Sequence, residues 1–111
     1  MTTQKRERLP QRRGGENLEF QCERPGVPPI QYNATVGYHA DGRLAEIFLR
    51  ASKSGTDLNI QAQETAIAVS MALQWGCPAE TIRAAMPRTN DKKPEGAIGT
   101  LLDLLAEEGK A

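Results

Sequence analysis

The sequence predicts an α+β fold, in which a three-stranded antiparallel sheet is followed by three helices packed on one face of the sheet. Before residue 51, apolar and polar residues alternate in three short runs, which is the pattern of half-buried strands. After residue 56, apolar residues recur every three or four positions, which is the pattern of amphipathic helices. Strands in one half of a chain and helices in the other favour an α+β arrangement over alternating α/β units.

The first predicted strand is short, and its apolar positions are Leu18, Phe20 and Cys22. Residues 24–29 contain three prolines and one glycine, so we expect a loop there. The second strand repeats the alternation, and we expect core packing from its apolar residues Tyr32, Ala34, Val36 and Tyr38.

Asp41-Gly42 is typical of a tight hairpin, because such a turn needs residues that accept positive φ angles. The third strand follows, and its inward residues are predicted to be Leu44, Ile47 and Leu49. If Val36 and Ile47 point toward the core, the residues on the outward face are Thr35, Gly37, Phe48 and Arg50.

The first helix is expected to be capped by Thr56 or Asp57. Its core face is predicted to consist of Ala62, Ala66, Val69 and Leu73. A neighbouring stripe of Ile60, Ile67 and Met71 favours a helix buried between the sheet and other helices. Trp75 is expected to pack in the core, and Gly76 to end the helix in the left-handed conformation.

The second helix is predicted to begin at Pro78, because the first helical turn tolerates a missing N–H, and to end before Pro87. The last helix is predicted from its apolar stripe of Ile98, Leu101, Leu102 and Leu105.

The 111 residues carry 14 basic and 14 acidic side chains, so overall charge predicts no polyanion partner. Residues 1–15 are polar and basic and are predicted to form a flexible arm, with a single domain over residues 16–111. The arm is a candidate nucleic-acid site, and a solvated tail is the alternative. Its basic residues are Lys5, Arg6, Arg8, Arg12 and Arg13.

The loop before the first helix is a candidate phosphate site, because helix N-termini favour anions. The residues proposed for it are Ser52, Lys53, Ser54, Gly55 and Thr56. Its spacing differs from that of a Walker A loop, and an ordinary capped turn is the alternative.

Two cysteines, Cys22 and Cys77, and one histidine, His39, cannot supply the four ligands of a structural zinc site, so we expect no metal. Cys77 is either a thiol activated at a helix start or a packing residue. His39 is expected at the surface. No apolar leader and no run of transmembrane length occurs, so we expect a cytoplasmic protein with reduced thiols and no membrane partner.

The stretch from Thr35 to Met86 resembles the TSCPD domain. This small module occurs at the C-terminal end of adenosylcobalamin-dependent ribonucleotide reductases and as short free-standing bacterial and phage proteins. The residues that carry the resemblance are Asp41-Gly42-Arg43, Glu46-Ile47-Phe48, Ser54-Gly55 and the run from Ser70 to Pro78. The resemblance implies an association with ribonucleotide reduction. The chain has no room for a radical-bearing barrel and no paired cysteines, so we expect no catalytic residues and no cofactor.

The leading hypothesis is a non-catalytic binding or assembly module that acts with ribonucleotide reduction or with nucleotide or nucleic-acid metabolism. One alternative is a subunit that contributes to ribonucleoside-diphosphate reductase activity together with a larger chain. Another is a phage- or prophage-type regulator that binds a host protein. The expected partners are a second copy of the chain, docked through the outward sheet face, a larger enzyme chain, and a nucleotide or nucleic acid.

Overall fold

A computed structural model describes residues 5–7, 15–51 and 56–110, and confirms the predicted α+β fold. The elements are β1 (Gly15–Arg24), β2 (Val27–Tyr38), β3 (Leu44–Ala51), α1 (Thr56–Gln74), α2 (Ala79–Ala85) and α3 (Ala97–Glu107).

The three strands form one antiparallel sheet in the order β1-β2-β3. Phe20 lies opposite Tyr32 across the first pair of strands, and their rings stack with centroids 5.7 Å apart. Val36 lies opposite Ile47 across the second pair, and both are buried as predicted. The inner side of the sheet therefore forms one wall of the core.

The helices cover this inner side and complete the core. The predicted core face of α1 is confirmed, since Ala62, Ala66, Val69 and Leu73 are all buried. The other buried helix residues that meet this core are Ile82, Ile98, Leu101, Leu102 and Leu105.

The predicted loop at residues 24–29 is wrong in extent, because only Pro25 and Gly26 form the turn. Pro28 and Pro29 belong to β2. They fit there because β3 pairs with β2 only from Tyr32 onward, so the prolines need not donate to a strand on that side. The β1–β2 pairing also shifts register between Cys22 and Arg24, which interrupts the ladder beside them.

The β2–β3 hairpin is looser than predicted, because Gly42 alone in it has positive φ. The loop spans residues 39–43, and Asp41 Oδ1 accepts a hydrogen bond from the Arg43 N–H at 3.1 Å. The predicted end of α1 is confirmed. Gly76 has φ 104°, and the Cys77 N–H donates to the Ala72 carbonyl at 2.9 Å, as in a Schellman cap.

Polar side chains of α1 close the free edge of β3. Asn59 Oδ1 accepts a hydrogen bond from the Ala51 N–H at 2.8 Å. Ser70 Oγ accepts from the Ile47 N–H at 2.8 Å and donates to the Ile47 carbonyl at 3.1 Å. These bonds satisfy backbone groups of β3 that would otherwise be free to pair with a strand of another chain.

Gln74 continues the same closure at the end of α1. Its Nε2 donates to the Ala45 carbonyl of β3 at 3.2 Å. Asn59 near the start of α1 meets the end of β3, and Gln74 at the end of α1 meets the start of β3. The helix therefore runs antiparallel to the strand that it covers.

Candidate functional site

The exposed apolar side chains are concentrated on one side of the molecule. Six large apolar side chains are exposed in the described part of the chain, and Val27 is the one that lies elsewhere. The other five are on β3, on α1 or just after α1: Phe48 (55% exposed), Ile60 (45%), Ile67 (63%), Met71 (39%) and Trp75 (45%). Such a cluster is typical of an interaction surface.

The outward residues Ile60, Ile67 and Met71 are named the α1 stripe here. The prediction that this stripe is buried between the sheet and other helices is wrong. The prediction that Trp75 packs in the core is also wrong, because its side chain is 45% exposed. The core helices lie on the inner side of α1, where they meet its buried face, and no described residue covers the outer side.

A groove of about 730 Å³ runs between the α1 stripe and the outward face of the sheet. The helix wall is formed by Ile67 and Met71, and the sheet wall is centred on Phe48. The predicted outward residues Thr35, Phe48 and Arg50 are confirmed as exposed, whereas Gly37 is buried between β1 and β3. Polar residues of both walls are Asn33, Thr35, Gln63, Ser70 and Gln74.

The charges of the groove lie mainly near its two ends. Arg50 is exposed beside the N-terminal half of α1, and Arg6 lies at the C-terminal end, where its Nε donates to Gln74 Oε1 at 2.6 Å. Glu46 also lines the groove, beside Ala45 on the part of β3 that meets the end of α1. The middle of the groove is apolar, so it suits a segment that presents apolar side chains.

The N-terminal residues 5–7 are attached to the end of α1. The Glu7 N–H donates to the Gln74 carbonyl at 2.8 Å, and the Glu7 carboxylate forms an ion pair with Arg43 at 3.1 Å. His39 Nδ1 lies 4.0 Å from the same carboxylate. These contacts explain why Arg6 sits at the mouth of the groove.

The predicted nucleic-acid arm is only partly described. Lys5 is exposed and Arg6 bonds to α1. Arg8, Arg12 and Arg13 lie outside the described residues. Nucleic-acid binding by this segment therefore stays a prediction, as does the division into an arm and a domain.

The predicted phosphate loop also stays a prediction. Ser52, Lys53, Ser54 and Gly55 lie outside the described residues. Thr56 is the first residue of α1, and its side chain lies outside the described part as well.

His39 is not the surface residue that the sequence predicted. Its side chain is 8% exposed, and Nε2 is buried with no hydrogen-bond partner among the described residues. Cys77 is partly buried, and its Sγ lies 3.8 Å from the Pro78 carbonyl oxygen.

A charged cluster joins α2, the following loop and α3. The Asp103 carboxylate accepts from Arg88 at 2.7 and 2.9 Å and from Arg83 Nε at 2.8 Å. The hydrogen bonds from Arg88 and then Arg83 lower the pKa of Asp103 to about 2. Arg83 also pairs with Glu80 at 3.1 Å. All these charges are satisfied within the chain, so we read the cluster as structural.

Within residues 5–7, 15–51 and 56–110, no group of three or more His, Cys, Asp or Glu side chains is placed to hold a metal ion. In the same residues, no helix combines the length and apolar character that crossing a membrane requires.

The sequence analysis did not identify the polar side chains of α1 that close the free edge of β3. Asn59, Ser70 and Gln74 lie on the side of α1 that faces β3, beside the predicted core face. Their spacing of eleven and four residues places them on one side of a helix. This spacing is the feature of the sequence from which a shared role could have been predicted.

The chain is similar to segments of much longer enzymes. It is 33% identical over 78 residues to a vitamin B12-dependent ribonucleotide reductase of Agrobacterium fabrum, a match to 70% of this chain and 6% of that enzyme. It is 37% identical over 76 residues to an enzyme of the same name from Streptantibioticus cattleyicolor, a match to 68% of this chain and 12% of the relative. The relative from Bradyrhizobium diazoefficiens is 37% identical over 73 residues, which are 66% of this chain and 5% of the enzyme.

No protein-family model matches the chain, and no solved structure matches it. The TSCPD assignment therefore stays a prediction, while the resemblance to ribonucleotide reductases is confirmed. The chain spans only 5–12% of the length of these curated relatives. Over about two thirds of its length, it is similar to a short segment of vitamin B12-dependent ribonucleotide reductases.

Proposed function

We propose that this chain is a non-catalytic binding and assembly module that acts with a vitamin B12-dependent ribonucleotide reductase. The observation that carries the proposal is its 33–37% identity to a segment that makes up a small part of each relative. A module of this size that forms one part of a large enzyme works in association with the rest of that enzyme, and we propose the same association for this chain.

The exposed groove supports a docking role. Ile67 and Phe48 are more than half exposed on facing walls, although both are large and apolar. Leaving such surface in water is unfavourable, and covering it with a partner recovers on the order of 25 cal/mol per Å² of apolar area. The polar rim of Arg50, Glu46 and Arg6 is the usual surround of such a docking surface.

The proposal is tested by measuring binding to the vitamin B12-dependent ribonucleotide reductase of the same host. The immobilised chain is titrated with the purified enzyme in biolayer interferometry. We expect saturable binding by the wild-type chain and at least a tenfold loss of affinity in Ile67→Glu, because the new carboxylate is placed in the apolar groove.

Thr65→Glu is the matched control. It adds the same charge to the same helix, but Thr65 is exposed on the side of α1 away from the groove. We expect wild-type affinity for this variant. Absence of binding by the wild-type chain at about 100 µM enzyme would reject the proposal, since an assembly partner binds more tightly than that.

A second readout separates assembly from direct participation in the reaction. Turnover of the reductase is measured with and without a saturating amount of the chain. An assembly role predicts binding with little change in turnover per active site. A large rise in turnover on addition of the chain would instead support the alternative of a subunit that contributes to reductase activity.

A further inference from the structure

We infer that residues 5–7, named the strap here, close the end of the groove nearest the C-terminus of α1, so that a partner filling the groove must displace them. The inference rests on the proposed function, because it describes how access to the same docking surface is regulated. It makes the N-terminal segment a built-in competitor of the partner.

The strap reaches the groove through one side chain. Arg6 lines the groove together with Met71 and Gln74 of α1. It is partly buried, and its Nε donates to Gln74 Oε1 at 2.6 Å. Lys5 and Glu7 are exposed and are not among the described residues that line the groove. Arg6 therefore forms the end wall of the groove, and its position depends on the attachment of the strap.

The strap occupies polar groups at and beside this end of the groove. Gln74 Oε1 accepts from Arg6, and the Gln74 main-chain carbonyl accepts from the Glu7 N–H at 2.8 Å. The last carbonyls of a helix have no partner within the helix, so they take donors from elsewhere. The Arg43 guanidinium is paired with the Glu7 carboxylate at 3.1 Å. Detachment of the strap would make both acceptors and this cation accessible to a partner.

The attachment of the strap is polar and exposed, so it is easily reversed. The Arg43 and Glu7 side chains are 51% and 56% exposed. Exposed ion pairs stabilise little, because water and salt screen them and because two long side chains must be held in one geometry. None of the three strap residues is apolar, and segments with few buried apolar contacts open most readily. The strap can therefore detach while the core stays folded.

A wall that detaches easily lowers the affinity of a partner without preventing its binding. A partner that covers Met71 meets Arg6, because both residues line the same groove. When a site is open for only part of the time, its apparent affinity is reduced by the open fraction. Loosening the strap should therefore tighten partner binding without adding any new contact.

The test uses two substitutions that loosen the strap from opposite sides of one ion pair. Glu7→Gln and Arg43→Gln each remove this pair, and neither residue lines the groove. The matched controls are Asp91→Asn and Lys93→Gln, which remove the same charges from exposed positions between α2 and α3. Circular dichroism and thermal melting check that each variant of the full chain remains folded.

Amide hydrogen exchange followed by NMR measures the attachment itself. We expect the residue 7 amide to be protected in the wild-type chain. Its protection should fall by about threefold or more in both loosened variants and stay unchanged in both controls. A wild-type amide that exchanges as fast as in an unstructured peptide would overturn the inference.

The uncharged dye Nile red measures access to the groove without the reductase. Both loosened variants should bind the dye about twofold or more tightly than the wild type does, because the open fraction is larger. Adding Ile67→Glu to Glu7→Gln should remove this gain, because Ile67 forms the helix wall of the groove. Equal dye affinity in the loosened variants and the wild type, or a gain that survives Ile67→Glu, counts against the inference.

Titration with the reductase separates this inference from the proposed function. The loosened variants should bind the enzyme about threefold or more tightly than the wild type. Unchanged or weaker binding by these variants overturns the inference and leaves the proposed function standing. If neither the wild type nor the loosened variants bind the enzyme, the proposed function is rejected, and the exchange and dye measurements decide the inference.

Discussion

At the scale of single residues, Gln74 is the buried polar side chain that joins three parts of the described chain. Its Nε2 donates to the Ala45 carbonyl on β3, and its Oε1 accepts from Arg6. Its own carbonyl accepts from the Glu7 N–H. The two side-chain contacts need one group that donates and one that accepts, and the Gln74 amide supplies both.

Replacing Gln74 by Ala should destabilise the fold by about 1–3 kcal/mol, because the Ala45 carbonyl and the Arg6 guanidinium both lose a partner. Urea denaturation followed by circular dichroism measures the free energy of unfolding. Gln61→Ala is the matched control, since Gln61 is exposed on the same helix. It should change stability by less than about 0.5 kcal/mol. Equal costs for the two variants would contradict the bridging role of Gln74.

The sequence does not reveal this role in advance. Periodicity shows which side of a helix faces the core, but the partner of Gln74 is a backbone carbonyl. Which carbonyls of β3 lack a strand partner depends on the order of strands in the sheet. His39 illustrates the same limit, because the Glu7 carboxylate that lies 4.0 Å from its Nδ1 is 32 positions away in the sequence.

At the scale of elements, α1 has two apolar faces with different roles. Leu73 is buried in the core, whereas Ile60 is 45% exposed on the α1 stripe. Apolar spacing in the sequence predicted both faces. It could not predict which face is covered, because that depends on where α2 and α3 pack. The spacing of apolar residues therefore predicted α1 and β3, which form the walls of the groove. It did not predict that the space between them is open.

Leu73→Ala should therefore cost about 2–4 kcal/mol, because it leaves a cavity in the core. Ile60→Ala should lower the stability of the isolated monomer by less than about 1 kcal/mol, since much of its side chain is already in water. Both values come from urea denaturation followed by circular dichroism. A similar large loss in both variants would show that the outward face is covered within the monomer.

At the scale of the whole molecule, the order of elements and the core were predictable from alternation and helical spacing. The extent of β2 was not, because Pro28 and Pro29 normally mark a loop. They are accepted because β3 is too short to reach them. The ion pairs that Asp103 of α3 forms with Arg83 of α2 and with Arg88 were also not predicted, because these residues lie far apart in the sequence.

The Asp103 ion pairs make the free energy of unfolding depend on pH in the acid range. The hydrogen bonds from Arg88 and Arg83 lower the pKa of Asp103 from 3.8 to about 2. The unfolded chain binds the proton more tightly, so this stabilisation is present above about pH 4 and is lost as the pH falls toward 2. Its size is about 1–2 kcal/mol after allowance for solvent screening.

Asp103→Asn should remove this component, so its free energy of unfolding should depend less on pH between 4 and 2 than that of the wild type. Asp91→Asn is the control, because Asp91 is exposed on a turn, and it should keep the wild-type pH dependence. Urea titrations at a series of pH values provide the comparison. Parallel pH profiles for Asp103→Asn and the wild type would contradict the role assigned to the cluster.

The closure of β3 by α1 has a consequence for how the chain is made. Synthesis proceeds from the N-terminus, so the residues of all three strands exist before the side chains that seal the outer edge. The chain must grow from Ala51 to Gln74 before the last sealing group is present, which takes on the order of one to five seconds at about 5–20 residues per second. During that interval the newest strand is open to pairing with another nascent chain on the same messenger RNA. Crowded translation is therefore the condition under which misassembly of this protein should be greatest.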